Sequence, residues 1–393
     1  MKTKFLGFAV LIFLLLISCE TDPIEESSLN KKSGKSLSKK LIDIKLEPRI
    51  IPDSKTLIRE IEFDLNAIDP TAFCEGTELG EAFRSAWFDI WNDPNGALSP
   101  FPYPPGPNRP PTWPWIWMLL DINFVHSMID DGPQYFGNKG QYTQYVNNRV
   151  RNLEKFWNMP NEVSVRGQHN ETMNDRDAMI SALSSIWYAN NGWSPETIEL
   201  ITDIIIGNNA NSEVLPESTI VASDGFAWDL NGYLGYDDLE IIVIGDGLVK
   251  LVASVGTEDK IGWTTILSHE WAHHVQFNNG YLDDYDEEFG ANTPESTRAG
   301  ELEADFIASY YMTHKRGATY NWKRIEQYLV NFFQIGDCSF TNPGHHGTPL
   351  QRMEASKLGN ELANSAQKKG KILSADEVHD AFIAVLDDIA PQP

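Results

Sequence analysis

The sequence predicts a mainly helical α+β fold with a small sheet, on three observations. Five stretches before residue 210 have helical periodicity or length. Two short runs rich in Val and Ile, at 163–165 and 239–244, have the length and composition of strands. Two capped helices in the second half carry a spaced set of His and acidic residues. With 41% apolar residues and 12 Trp, the chain has ample material for a core.

The first segment stands apart from that fold. Met1-Lys-Thr-Lys4 is a short basic start, Phe5 to Ile17 is apolar but too short to span a bilayer as an ordinary helix, and Leu16-Ile17-Ser18-Cys19 places a small residue before Cys. This is the pattern of a bacterial lipoprotein signal peptide over residues 1–18. Its removal would leave Cys19 carrying lipid and the chain anchored in the bacterial cell envelope, at the outer membrane or cell surface. Cys74 and Cys338 remain, either paired in an oxidising compartment or kept as buried thiols. Residues 19–59 are Ser-rich, carry Lys31, Lys32, Lys35, Lys39 and Lys40, and are expected to be a flexible tether.

Residues 60–393 read as one folded unit, with a largely helical portion over 60–220 and a second portion over 221–393. Helices are expected at Phe83–Trp91, Ile116–Met128, Tyr142–Trp157, Asp177–Tyr188 and Pro195–Ile206, and strands at Val163–Val165 and Leu239–Ile244. The Pro- and Trp-rich stretch Ser99–Trp117 suits a rigid surface loop or a core plug.

The next helix carries the chemistry. Asp259 to Ser268 has apolar residues spaced for a buried helix, and Asn278-Asn279-Gly280 is a helix stop. Between them lies His269-Glu-Trp-Ala-His-His274. Residues four apart share a helix face, so His269 and His273 can offer two imidazoles to one zinc ion. Glu270 is offset by roughly 100°, which suits it to take a proton from a water that the metal has made acidic. With nine His and 56 acidic residues in 393 positions, the short pattern arises by chance in roughly 3% of such chains. Its place on a helix is what gives the spacing meaning. His274, about 140° from His269, is expected to support Glu270 or pack on a neighbouring helix, and Gln276 is a weaker site candidate.

A second helix supplies the third ligand. Thr293-Pro294 looks like an N-cap followed by Pro at the first helical position, and Gly317 after Lys315-Arg316 looks like the stop. Within it, Glu301 and Asp305 share a face, while Glu303 is rotated by about 200° from Glu301. Glu301 is the expected metal ligand, and Asp305 the acceptor that orients a liganding His through its other ring nitrogen. The positions where the elongated metzincin pattern needs Gly and His hold Gln276 and Asn279, so that class is rejected. The run Asp283, Asp284, Asp286, Glu287, Glu288 between the two helices is expected to be a solvated loop, which near a metal cleft would favour basic substrates.

Beyond it, Thr348 can cap a helix beginning at Pro349, with Gln351 completing a capping box. His345 and His346 then lie just before a helix start. His346 is expected either to donate to developing negative charge or to be a turn histidine held locally, and His345 is a weaker candidate.

These motifs resemble those of the bacterial neutral zinc metallopeptidases of the gluzincin type. His269-Glu-Trp-Ala-His-His-Val-Gln276 is similar to that family's zinc helix, Glu301-Leu-Glu-Ala-Asp305 to its second helix, and His346-Gly-Thr-Pro-Leu-Gln-Arg352 to its C-terminal segment. The likeness covers about residues 230 to 360. It implies a zincin-like metallopeptidase with a small sheet beside the zinc helix, Zn2+ held by His269, His273 and Glu301, and hydrolysis of peptide bonds. In zincins an edge strand beside the metal helix pairs with the substrate backbone, and Leu239–Ile244 is the sequence-adjacent candidate.

The formal charge of −25 would repel phosphate backbones, which excludes nucleic acid as a partner. The expected partners are a peptide or protein substrate and, through the lipid at Cys19, a membrane. Two other functions fit the same residues: a non-enzymatic surface lipoprotein with a structural zinc that binds a glycan or protein partner, and an amidase acting on cell-wall material. A structural zinc would be closed by a fourth protein ligand, whereas a catalytic one keeps an open position.

Overall fold

The computed structural model describes residues 76–91, 115–185, 193–230, 239–320, 322–336, 344–368 and 371–390. Residues 1–75, which include the signal segment, Cys19, the tether and Cys74, lie outside these, as do Cys338 and residues 99–114 of the Pro- and Trp-rich stretch.

In chain order the elements are α1 (Glu78–Trp91), α2 (Trp115–Ile129), α3 (Thr143–Trp157), β1 (Val163–Gln168), α4 (Arg176–Ser184), α5 (Pro195–Asn209), β2 (Gly225–Asp229), β3 (Glu240–Gly245), α6 (Asp246–Ser254), α7 (Asp259–Asn279), α8 (Tyr281–Phe289), α9 (Pro294–Thr313), α10 (Trp322–Gln334), α11 (Pro349–Lys368) and α12 (Ala375–Ile389). The chain is mainly helical with a small sheet, the coarse class its sequence predicts. The five early helices and both expected strands are present, with ends shifted by a few residues; Gln168 rather than Val165 closes β1, and the helix expected over 177–188 ends at Ser184, where Ser185 turns extended, while 186–188 lie outside the described residues.

The three strands lie in the order β1-β3-β2, with β1 parallel and β2 antiparallel to β3. All six residues of β3 are buried. Its two faces feed two cores, as a two-residue side-chain period requires. Ile242 and Ile244 pack with residues of α3, α7, α9, α11 and α12, while Ile241 and Val243 pack with residues of α1, α2, α4 and α5. Because β1 comes from the 60–220 portion and pairs with β3, the sheet divides the interior while joining the two portions of chain.

Leu239–Ile244 is therefore not the edge strand expected of it. Both edges of β3 are paired, and β2 is the outer strand on the side of α7. β2 was missed because five residues, Gly-Phe-Ala-Trp-Asp, give too short an alternation to recognise.

The acidic run after α7 is also not a loop. It forms α8, in which Tyr281 and Tyr285, four apart, are buried, and the carboxylates occupy the opposite, wetter face. The charge run marks the solvated side of a helix. α9 begins as its sequence predicts, with Thr293 Oγ1 accepting from Ser296 N at 3.2 Å and Pro294 following. It runs through Glu301 to Thr313 as expected, but the stop is His314 and not Gly317, whose N donates to His314 O at 2.8 Å in the turn beyond. α9 packs closely on α11, where a Cβ on Gly359 would meet Phe306 O at 2.2 Å. Only Gly allows two helix backbones this near.

Candidate metal centre

α7 and α9 are unusual among helices of this length. Fifteen of the 21 residues of α7 and 17 of the 20 of α9 are buried, polar ones included. Burying His, Glu and Asp costs several kcal/mol each unless they find partners, and here the two helices supply them to each other.

His269 Nε2 and His273 Nε2 lie 3.2 Å apart. Glu301, facing them from α9, places Oε2 3.2 Å from His269 Nε2 and Oε1 3.4 Å from His273 Nε2. Direct charge-assisted contacts close to about 2.7–2.9 Å. Ligand atoms bonded to one tetrahedral zinc at about 2.0–2.1 Å would instead stand about 3.3–3.4 Å apart. The triangle thus has the spacing of atoms arranged around an ion, and these three buried side chains can hold a metal ion.

The surrounding contacts fix the triangle. Asp305 Oδ1 lies 2.9 Å from His269 Nδ1, though not aligned for a linear hydrogen bond. Arg352 of α11 holds Asp305 bidentately, Nε to Oδ2 at 2.7 Å and Nη2 to Oδ1 at 2.8 Å, and lies 3.5 Å from Glu301 Oε2. On the other imidazole, His273 Nδ1 lies 2.8 Å from Gln276 Oε1. The nitrogens that face one another and Glu301 are therefore the Nε2 atoms, with each Nδ1 turned to an acceptor, the arrangement His adopts when it binds a metal.

Glu301 and Glu303 diverge as the helix rotation predicts. Glu303 points away from the triangle, accepting from Gln276 Nε2 at 2.9 Å and pairing with His379 Nδ1 at 2.6 Å. Gln276 meets His273 three residues back along its own helix, but its contact with Glu303, and that of His379 with Glu303, cross between α7, α9 and α12 and leave no local spacing to read. His274 takes neither of its expected roles: it turns to the sheet, Nε2 to Ile241 O at 2.9 Å and Nδ1 to Glu240 Oε2 at 2.9 Å.

The field at the triangle favours positive charge. Burial lowers the pKa of His269, but Asp305 and Glu301 beside it outweigh that and push it up to about 10. Burial raises Glu301, yet His346, His273 and His269 hold its carboxyl well below the usual carboxylate range. The same two carboxylates, Asp305 and Glu301, would favour a cation placed between them.

The triangle opens onto a cavity of about 150 Å³. Glu270 lines it, one residue along α7, with its carboxyl raised by burial against the opposing pull of His269 and His273. β2 borders it: a Cβ on Gly225 would stand 3.7 Å from Glu270 Oε1. At the start of α11, Thr348 N donates to Gln351 Oε1 at 3.0 Å and Gln351 N to Thr348 Oγ1 at 3.2 Å, a capping box. The turn before it carries His346 to the site, Nε2 3.6 Å from Glu301 Oε1, and leaves His345 fully buried behind. The structure thus gathers His269, Glu270, His273, Glu301, Asp305 and His346 at one place.

His169, Glu171 and Asp246 also converge, but as a junction of another kind. His169 Nδ1 lies only 2.8 Å from Asp246 Oδ2, and Asp246 Oδ1 accepts from Gly137 N at 2.8 Å. Those are closed hydrogen bonds that tie the ends of β1 and β3 to the preceding loop, without the wider spacing of the α7–α9 triangle.

The chain matches no protein-family model, no curated protein and no solved structure.

Proposed function

We propose that this chain is a zinc-dependent peptidase of zincin-like architecture, with His269, His273 and Glu301 as metal ligands and Glu270 as general base. The observation that carries the reading is the 3.2–3.4 Å triangle opening onto a cavity beside Glu270. Among the described residues no fourth His, Cys, Asp or Glu completes the group within 4.8 Å, which favours an open catalytic site over a closed structural one. Zinc bound there supplies an acidified water and an electrophile for a carbonyl. Glu270 accepts the proton of the attacking water and returns it to the departing nitrogen, a role served by its burial next to the triangle and its raised affinity for a proton. His346 donates to the oxygen on which negative charge develops. Asp305 and Gln276 hold the two imidazoles, and Arg352 holds Asp305.

Substrate binding has a ready frame. An extended peptide can lie along β2, the outer strand of the sheet beside the cavity. The cavity walls of Phe226, Trp228, Leu248, Val252, Phe332 and Ile335 suit an apolar side chain next to the scissile bond. Burying such a side chain contributes about 1.5–3 kcal/mol, so peptides with Leu or Phe there are expected to be cleaved roughly 10- to 100-fold more efficiently in kcat/KM than those with Asp or Lys. A cleavage profile over a peptide library measures this directly. A dominant preference for Lys or Arg would discard the apolar-pocket reading and point to the carboxylates of α8 instead.

The same proposal locates the enzyme in the cell envelope, tethered through lipid on Cys19. Labelled fatty acid should be incorporated into the wild-type chain and not into Cys19→Ser, which stays unprocessed or is released. An unlabelled, freely secreted wild-type chain would reject the anchor.

A further inference from the structure

We propose that Glu303, held by His379 of the last helix, is a positioning residue that sets the tautomer of His273 through Gln276. The inference rests on His273 being a metal ligand. To bind a cation through Nε2, the ring must carry its proton on Nδ1. Nδ1 faces Gln276 Oε1 at 2.8 Å, and a carbonyl oxygen there accepts that proton's hydrogen bond. Were the amide reversed, its NH2 would face Nδ1, draw the proton to Nε2 and block the ligand atom.

Two acceptors decide which way the amide lies. Gln276 Nε2 donates to Gly300 O at 2.8 Å and to Glu303 Oε2 at 2.9 Å. In the reversed amide, an oxygen would face a backbone carbonyl and a carboxylate together. The Glu303 carboxylate is the stronger of the two acceptors, and it is completely buried, so its interaction with the amide is little screened. A buried carboxylate needs a further partner. His379 Nδ1 supplies it at 2.6 Å from Glu303 Oε1. The His379 ring is itself fixed, stacked on Tyr281 with centroids 3.9 Å apart, and Tyr281 OH donates to Asp376 Oδ1 at 2.7 Å. Three successive hydrogen bonds therefore run from α12 to the metal ligand: His379 to Glu303, Glu303 to Gln276, Gln276 to His273. This gives a use to a buried acid and a C-terminal His that the hydrolytic mechanism leaves idle.

The test uses the full chain and zinc as the probe. Glu303→Gln keeps the volume but removes the charge that orients Gln276, and His379→Phe keeps the stack on Tyr281 but removes the hydrogen bond. Zinc affinity is measured by chelator competition, folding by circular dichroism, and the tautomer of His273 by ring ¹⁵N shifts in the metal-free protein. Loss of an outer partner of a metal ligand typically weakens affinity about 10–100-fold. Glu303→Gln should fall in that range while still binding one zinc at saturation, with His273 shifting from the Nδ1–H form toward the Nε2–H form. His379→Phe should move both readouts in the same direction by less. Folded variants with wild-type zinc affinity and an unchanged His273 tautomer overturn the proposal. If Glu303→Gln does not fold, His379→Phe decides alone. A wild-type chain that binds no zinc overturns the metal-site reading and this inference with it, whereas zinc-bound wild type with unaffected variants overturns this inference only.

Discussion

Glu270→Gln is expected to leave a folded protein that binds one zinc and hydrolyses peptides about 10²–10⁴-fold more slowly, the usual worth of a general base. The change is nearly isosteric, and Glu270 lies beside the ligand triangle without belonging to it, so metal stoichiometry should hold. Burial already pushes this carboxyl toward its neutral form, and the amide substitution therefore places no new strain on the pocket. His346→Ala offers a comparison at another residue lining the cavity: about 10²–10³ in kcat, as for loss of one transition-state donor, with the metal again retained. Hydrolysis by Glu270→Gln at the wild-type rate would end the proposed mechanism even with all three ligands right.

Alanine at His269, His273 or Glu301 should act on the metal itself. Loss of a direct ligand is expected to weaken zinc binding by more than the roughly 100-fold upper figure for an outer partner. Glu301→Ala is the most informative of the three, because it also leaves His269, His273, His346 and Arg352 without the carboxylate that all four face. The thermal shift on adding zinc gives a second readout. At a hundredfold excess over Kd a ligand stabilises the fold by about 2.7 kcal/mol, and that shift should disappear in Glu301→Ala at the same zinc concentration. Full stoichiometric zinc in Glu301→Ala would mean a different third ligand. Glu303 would be the first to examine, although its contacts with Gln276 and His379 turn it away.

Much of the site was legible because helices make spacing into geometry. His269 and His273, four apart, had to share a face; Glu301 and Glu303, two apart, had to diverge; Thr348 and Gln351 had to close a capping box. Each needs only the 3.6-residue period and local hydrogen bonds, and each is found as that period requires. The errors arose where the deciding neighbour is remote in sequence. An acidic run does not reveal whether the residues between its charges meet a core, and here Tyr281 and Tyr285 do, which makes the run a helix, α8, and not a loop. His274 could not be assigned from α7 alone, since its partners are Glu240 and Ile241 on β3.

The mainly helical class, the two helices of the site, their caps, and the faces on which His269, His273, Glu301 and Asp305 lie can be read along the chain, because all of these follow from contacts within one or two helical turns. Which strand borders the cavity, the clamp of Arg352 from α11 on Asp305, and the convergence of Gln276 and His379 on Glu303 come from how distant elements pack. Strand order is set by which edges pair across long stretches of chain, and a buried polar network by whichever distant groups can satisfy charges that water no longer reaches. Neither leaves a period in the sequence to read.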